Sequence, residues 1–435
     1  MGAVRFGREA WSGCLCLAWL AGAGCARGPS HATTLTVLGF NLDTAQELRV
    51  DAVDEFTRNT GLAVDLIPTW GASAEQLSQK LRLLKQHATT PDVYLVDVVW
   101  TGTLADHLLD LTPYEDRDAR SQIPVLLAND TVKGRLVSLP FYVNLGLLYY
   151  RTDLLAKYGF SHPPATWDEL EGMSRKIQQG ERAGGNPAFW GYVWQGAAYE
   201  GLTCDALEWQ ASFGGGHIIE PGGTISVRNP HTVEAFEMAA RWVGTISPAS
   251  VLSYTESDSL NAFRAGNAAF LRHWSGGLTA ADAKSSPIEG RFAATLLPAG
   301  PGGRAQAMGG FHLAVSRYSA HPHEATRLVE YLTSAPVQLR RALDRGKLPT
   351  IPKLYQDPAV LRAFPYAAAL QTASASAWVA RPSTIAGSHY AAVSQQYYET
   401  VHRILSHETP APAGLEALER KLVDATGLHP GAPSE

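Results

Sequence analysis

The chain has 435 residues, 45% hydrophobic and only 18% charged, where about a quarter charged is typical of soluble chains. That composition excludes a disordered protein, and the length calls for two domains, or three small ones, rather than one core. Thirty-six basic against 41 acidic residues leave a net charge of -5 with no polybasic run, which argues against nucleic acid as a partner.

Residues 1–25 stand apart from the fold. Arg5 and Arg8 form a short positive region, and residues 11–23 are a compact apolar stretch ending in small residues before Cys25. This is the plan of a secretory signal peptide, too short for a stable membrane span. The run Ala21-Gly22-Ala23-Gly24-Cys25 resembles a bacterial lipoprotein cleavage site, although Gly22 stands where such sites usually carry a branched apolar residue. Lipidation of Cys25 is expected. Cys14 and Cys16 leave with the signal, and Cys204 then has no thiol partner within the chain. It reads as a small buried hydrophobe.

Thr34–Phe40 reads as a strand and 44–59 as a helical stretch, followed by a strand over 61–68 and a helix over 73–86. The third strand, 92–100 (DVYLVDVVW), is almost wholly apolar. Apolar strands alternating with amphipathic helices indicate a parallel α/β sheet covered on both faces. Two extended segments, 136–141 and 145–150, mark a crossover to a second body. There, Thr166-Trp167-Asp168-Glu169 predicts a capped helix over 167–179, and Asn229-Pro230 opens another. Helix 257–265, strand 268–273 and loop 298–303 follow, then strand 311–316 and helix 322–333. Ser334-Ala335-Pro336 opens a further helix, and 390–428 is helical with a break at 409–412. No repeat of 20–50 residues occurs, which argues against a solenoid or propeller.

Signatures of catalysis are missing. There is no G-x-S-x-G elbow, no G-x-x-x-x-G-K phosphate loop and no H-E-x-x-H. Nothing singles out a carboxylate pair of the glycosidase kind. His321, His323 and Glu324 flank a proline at a helix start and read better as solvated capping residues than as metal ligands. The strand ends carry a different chemistry. Sugars are held by aromatic faces stacked on the ring, with carboxylates, amides and guanidinium groups on the hydroxyls. Asp97 and Trp100 close the third strand, and Tyr142 and Asn144 sit at the crossover. Trp274 follows strand 268–273, Gly310-Phe311 opens 311–316, and Arg381 lies in an irregular stretch before the last helices. Strand ends are where open α/β sheets bind ligands. Each residue also has a plainer reading: Trp100 as core, Tyr142 as a hinge plug, Arg381 as an ion-pair partner.

The segments PPATWDELEGMSRKIQQGER (163–182) and FWGYVWQGAAYEGLTCDALEW (189–209) resemble a known family, as do PDVYLVDVVW, LPFYVNLGLLYYR, FRAGNAAFLRHW, GGFHLAVSRYS and ARPSTIAGSHYAAVSQQYY. It is that of the trehalose/maltose-type extracellular solute-binding proteins (family 1) of bacterial and archaeal sugar ABC importers. The similarity runs from about residue 35 to 428. It implies a two-lobed periplasmic-binding-protein fold of α/β class, with a hinge and an interlobe ligand cleft. The lobes are expected at 31–144 plus 290–335 and at 145–289 plus 336–435.

By motif, the resemblance implies ligand contacts at Asp97, Tyr142, Asn144, Trp274, Gly310, Phe311 and Arg381, with Gln46 and Trp100 as further candidates. Trp274 and Arg381 are expected to lie outside the lobe cores. Several positions depart from the disaccharide-binding pattern. Asn144 stands for an aspartate and Phe311 for a tryptophan, the acidic residue of the first helix falls at Ala45 or Gln46, and the Thr and Arg contacts of the second helix are absent around 71–77. The implied protein is a monomeric receptor, not an enzyme, and it needs no cofactor or metal. It lies in the periplasm or otherwise outside the cytoplasm, is held at the membrane only by its lipid, and passes a sugar to the permease subunits of an ABC transporter. A receptor of the same fold for another polyol or glycoside, or a secreted glycan-processing enzyme, are the alternatives.

Overall fold

A computed structural model describes residues 33–70, 73–114, 121–279, 283–372 and 377–434. The signal segment and Cys25 lie outside the described residues. The strands of the main sheet are β1 (Thr34–Phe40), β2 (Ala63–Pro68), β3 (Val93–Asp97), β4 (Leu139–Arg151), β5 (Trp190–Val193), β6 (Ala268–Trp274), β7 (Phe292–Leu296), β8 (Gln306–Val315) and β9 (Trp378–Val379). They form one sheet in the order β2-β1-β3-β8-β4-β6-β5, with β7 also on β4 and β9 on β8. β1, β2 and β3 are parallel, as are β5 and β6. β8 runs antiparallel to both β3 and β4, and β6 antiparallel to β4.

Alternation of side chains along β3 divides the core. Val93 and Leu95 pack with Leu35, Phe56 and Leu313 on one face of the first lobe. Tyr94 and Val96 point the other way, into a cluster that continues into the second lobe through Leu148, Trp167, Trp209 and Trp242. Four tryptophans there, at 167, 194, 209 and 242, are fully buried and meet at centroid distances of 5.0–6.0 Å, mostly edge to face. These four of the chain's 11 tryptophans are core.

The helix expected at 44–59 is three continuous pieces, Leu42–Leu48, a wider turn over Arg49–Val53, and Asp54–Thr60. α1 (Ser73–Lys85) connects β2 to β3 as the helix of the second βαβ unit. In the second lobe, α2 (Trp167–Ala183) begins as expected: the Thr166 hydroxyl accepts from the Glu169 N–H, and the Glu169 carboxylate returns to the Ala165 N–H at 2.7 Å. α3 (Glu200–Ser212) has no counterpart in the pattern reading. It is buried nearly all round, so it shows no apolar stripe against a polar face. α4 (Pro230–Trp242) is capped by Asn229 and α5 (Glu256–Arg264) by a reciprocal Thr255–Asp258 box. α6 (Pro322–Leu332), α7 (Ala335–Arg345), α8 (Tyr390–Leu405) and α9 (Ala411–Thr426) complete the helices used below.

Two expectations change. The segments 136–141 and 145–150 are not separate: β4 is one 13-residue strand that belongs to both lobes. Residues 292–296, placed in the first lobe by sequence, pair with Leu147–Arg151 in the second-lobe half of β4. They extend the edge of β4 that β8 pairs only as far as Leu145, so its buried backbone groups stay satisfied. α7 touches two clusters: Val337 packs with Leu35 and Ala342 with Leu147 and Leu271.

Candidate functional site

The strand registers locate the site. Phe311 of β8 sits between Asp97, at the carboxyl end of β3, and Tyr142 of β4. Trp274, at the carboxyl end of β6, pairs with Gly146 of β4. Tyr142 and Gly146 are four residues apart on one strand, about 14 Å. The carboxyl ends of the parallel strands of both lobes therefore converge on one short stretch of β4, where such sheets bind ligands.

Trp274 is half-buried and firmly held. The Arg272 guanidinium covers its ring at 4.3 Å, and its indole N–H donates to Glu256 Oε1 at 3.4 Å. The other Glu256 oxygen accepts from the Tyr199 hydroxyl at 2.5 Å. Tyr149 donates to the Trp274 carbonyl. A Cβ on Gly309 would come within 3.0 Å of the ring, so glycine there lets the indole lie against β8. Beneath it, Arg272 donates to both oxygens of Glu208 at 2.6 and 2.9 Å and lies 2.8 Å from Asp205. Burial pushes both carboxyls up in pKa and Arg272 opposes the shift.

On the first-lobe side, Asp97 is half-buried, and its Oδ1 accepts from the Val99 N–H at 3.1 Å. The Trp100 N–H returns to the Asp97 carbonyl, so the strand turns at the carboxylate instead of running to 100. Burial raises the Asp97 pKa, with Arg381 the principal opposing charge. Asn144 and Phe311 are half-buried, opposite Gly309 and Tyr142 respectively. Tyr142 is 9% exposed, its ring 5.7 Å from that of Phe311 and within 5.4 Å of the cations of Arg341 and Lys347. Gly310 serves the backbone: φ is +118°, and a Cβ would come 2.3 Å from the Tyr142 carbonyl. Its own carbonyl accepts from the Val98 N–H.

Trp100 and Arg381 lie more deeply than the sequence suggested. Trp100 is core, 4% exposed and packed with Val99 and Leu104, because the turn at Asp97 folds it inward. Gln46 is exposed in the first helix, while the neighbouring Ala45 is buried. Arg381 is not outside the core. It is 7% exposed and donates to Glu200 Oε1 at 2.6 Å and to the Met308 carbonyl at 3.1 Å. Glu200 also accepts from Tyr390 and Ser394. Arg381 thus ties α3, β8 and α8 together beside Asp97. Tyr199, Glu200 and Glu256 went unread in the sequence. Tyr199 and Glu200 lie within the segment 189–209 used for the resemblance, but no periodicity marked α3. Cys204 is buried and its thiol is pushed up by that burial.

Lys80 is fully buried, with no hydrogen-bond acceptor for its ammonium among the described residues and the Trp100 ring 4.9 Å away. Burial pushes its pKa down to about 8 from 10.5, with Asp97 opposing. The unfolded chain therefore holds more protons between those values, and the folded state gains stability as pH rises from about 8 toward 10.5. Below pH 8 the full penalty applies, about 3 kcal/mol at 1.36 kcal/mol per unit. Lys80→Met removes it and also loses the cation–π contact, about 1 kcal/mol or more. Urea unfolding at pH 7 should show the variant on the order of 1–3 kcal/mol more stable, the difference shrinking toward pH 10. A variant less stable at pH 7 would contradict this account.

Comparison with known proteins shows the family and the fold. Residues 42–339 match the family described as bacterial extracellular solute-binding protein. A probable ABC transporter-binding protein of Deinococcus radiodurans is 42% identical over 404 residues, covering 92% of this chain and 96% of that protein. The maltodextrin-binding protein MdxE of Bacillus subtilis is 24% identical over 328 residues, 72% of each chain. Among solved structures, maltose-bound T. maritima MalE3 superimposes with a TM-score of 0.79 at 32% identity, covering 90% of this chain and 99% of that one. A ribitol complex of an Agrobacterium radiobacter solute-binding protein, at 21% identity and a TM-score of 0.72, covers 91% of this chain and 98% of that one and shares the fold.

Proposed function

The chain belongs to the bacterial extracellular solute-binding protein family, and from that premise we propose that it captures a sugar, first a disaccharide such as maltose or trehalose, and delivers it to an ABC import permease. The observation that carries this reading is the convergence of strand ends on Tyr142–Gly146, with a braced indole on one side and a half-open carboxylate on the other. The indole takes an apolar ring face and the carboxylate accepts from hydroxyls. Phe311, Tyr142 and Asn144 form the floor. Arg381 acts on the ligand through Asp97 and Glu200, as a positioning residue. The maltose in the T. maritima relative supports the sugar class. The reading is of binding without catalysis, by a monomer that needs no cofactor. Closure of the lobes on the β4 and β8 strands traps the ligand.

A thermal-shift panel of mono- and disaccharides and polyols tests the proposal. A ligand at a hundred times its Kd stabilises the folded state by about 2.7 kcal/mol, so at least one sugar should raise the unfolding temperature. A flat panel would overturn it.

Membership of the family suggests a place outside the cytoplasm, and among the described residues no helix is long and apolar enough to cross a membrane. The signal segment and Cys25 belong to the same reading: an acylated Cys25 keeps the receptor near its permease, a diacyl anchor being enough for stable attachment. Mass spectrometry of the membrane-extracted protein should find diacylated Cys25 as the first residue. An unmodified terminus elsewhere would refute the anchor.

A further inference from the structure

Trp70 is the bulkiest of the exposed hydrophobic side chains among the described residues, at 68% exposure. It lies two residues past the carboxyl end of β2. Its neighbour Thr69 is buried and donates to Gln76 Oε1 at 3.2 Å, which ties this loop to α1. The register places the loop at the same sheet edge as the site. Pro68 pairs with Phe40, and Leu38 pairs with Tyr94, so Phe40 stands level with Val96, one residue before Asp97. β2 is two strand spacings from β3, about 10 Å. That is too far for one sugar ring to touch both Asp97 and the β2 loop, and within reach of two or three linked rings.

An indole left open to water exposes a flat apolar face that a sugar ring can cover. Among the described side chains, Trp100 and Phe311 at this edge are less open. Trp100 is core, and Phe311 is half-buried in the floor. We infer that Trp70 is the first-lobe stacking platform for an outer ring of the ligand, and that the receptor therefore prefers sugars of two or more rings to monosaccharides. This rests on the sugar-receptor reading above and adds to it a residue and a ligand length.

Calorimetry on the mature chain with glucose, maltose, trehalose and maltotriose tests both parts. Wild-type protein should bind at least one of the three longer sugars more tightly than glucose. Trp70→Ala should weaken that sugar tenfold or more and leave glucose within about twofold, and Trp70→Phe should keep part of the affinity. Because Trp70 is exposed, both variants should melt with the wild type, which serves as the control for folding. If the wild type binds a longer sugar and Trp70→Ala binds it equally well, the inference fails while the receptor reading stands. The same follows if glucose binds as tightly as the longer sugars, or if Trp70→Ala weakens all four alike. A wild type that binds none of the four overturns this inference together with the disaccharide reading.

Discussion

Trp274→Ala is expected to weaken sugar binding by roughly tenfold to a thousandfold. A tryptophan carries about 150–250 Å² of surface, and a ring stacked on the open side of this largely buried indole covers about a third of it at most. At about 25 cal/mol per Å² that contact is worth roughly 1–2 kcal/mol, or about one decade of affinity. The spread allows for loss of the Glu256 brace, since the indole N–H is what Glu256 Oε1 accepts from. Folding should survive, because the side chain sits at a strand end above the Arg272 network and not within it. Calorimetry reads the affinity and thermal unfolding the stability. Wild-type affinity in a folded variant would put the cleft in the wrong place. Arg381→Ala should behave differently. It leaves Glu200 with only its hydroxyl partners, so stability should fall along with affinity.

Arg272→Met is expected to be the most damaging single change considered. The guanidinium is 1% exposed and faces Glu208 and Asp205, each fully buried. Removing one partner of a buried charge pair typically destabilises by about 3–5 kcal/mol, since the remaining charge has no compensation. Here two carboxylates are left. Their folded pKa values are already raised by burial, with Arg272 the main opposing charge. In the variant they rise further. A raised carboxyl contributes stability that is complete below its unfolded pKa and lost as pH climbs through the folded one. The deficit of Arg272→Met should therefore be largest near pH 7.5 and shrink on acidification toward pH 4.5. Urea unfolding at several pH values measures it. Adding Glu208→Gln and Asp205→Asn should recover part of the loss, and strict additivity of the three changes would mean that the network is not coupled. Sugar affinity should fall as well, because Arg272 also backs the Trp274 ring.

Much of this protein is legible in local sequence. β1 follows the expected bounds, and Thr166, Asn229 and the Pro230 start place α2 and α4. Trp274 could be read as a strand-end residue because the apolar run of β6 stops there, which is a local event, whereas the end of β3 at Asp97 could not, since Val98-Val99-Trp100 continue the apolar run. The chain itself also determines the alternation of apolar strands with amphipathic helices, and hence the α/β class, since periodicity is a property of neighbours in sequence.

What only the tertiary structure decided depends on partners far along the chain. α3 is apolar and polar residues without a stripe until β6, α4 and α8 surround it, and its Glu200 finds its side-chain partners in Arg381, Tyr390 and Ser394, 181 to 194 positions away. Arg381 is legible from sequence as either a ligand contact or an ion-pair partner, and its partners Glu200 and Met308, distant along the chain, decide for the buried ion pair. Trp100 is legible from sequence as either core or ligand contact, and the turn at Asp97 decides for core; no periodic signal in the sequence marks Trp70. β4 read as two strands, since nothing local shows that β8 covers one half and β7 the other. Local propensity is set by a residue and its neighbours; burial, ion pairing and access to a cleft are set by which distant segments the fold brings against it.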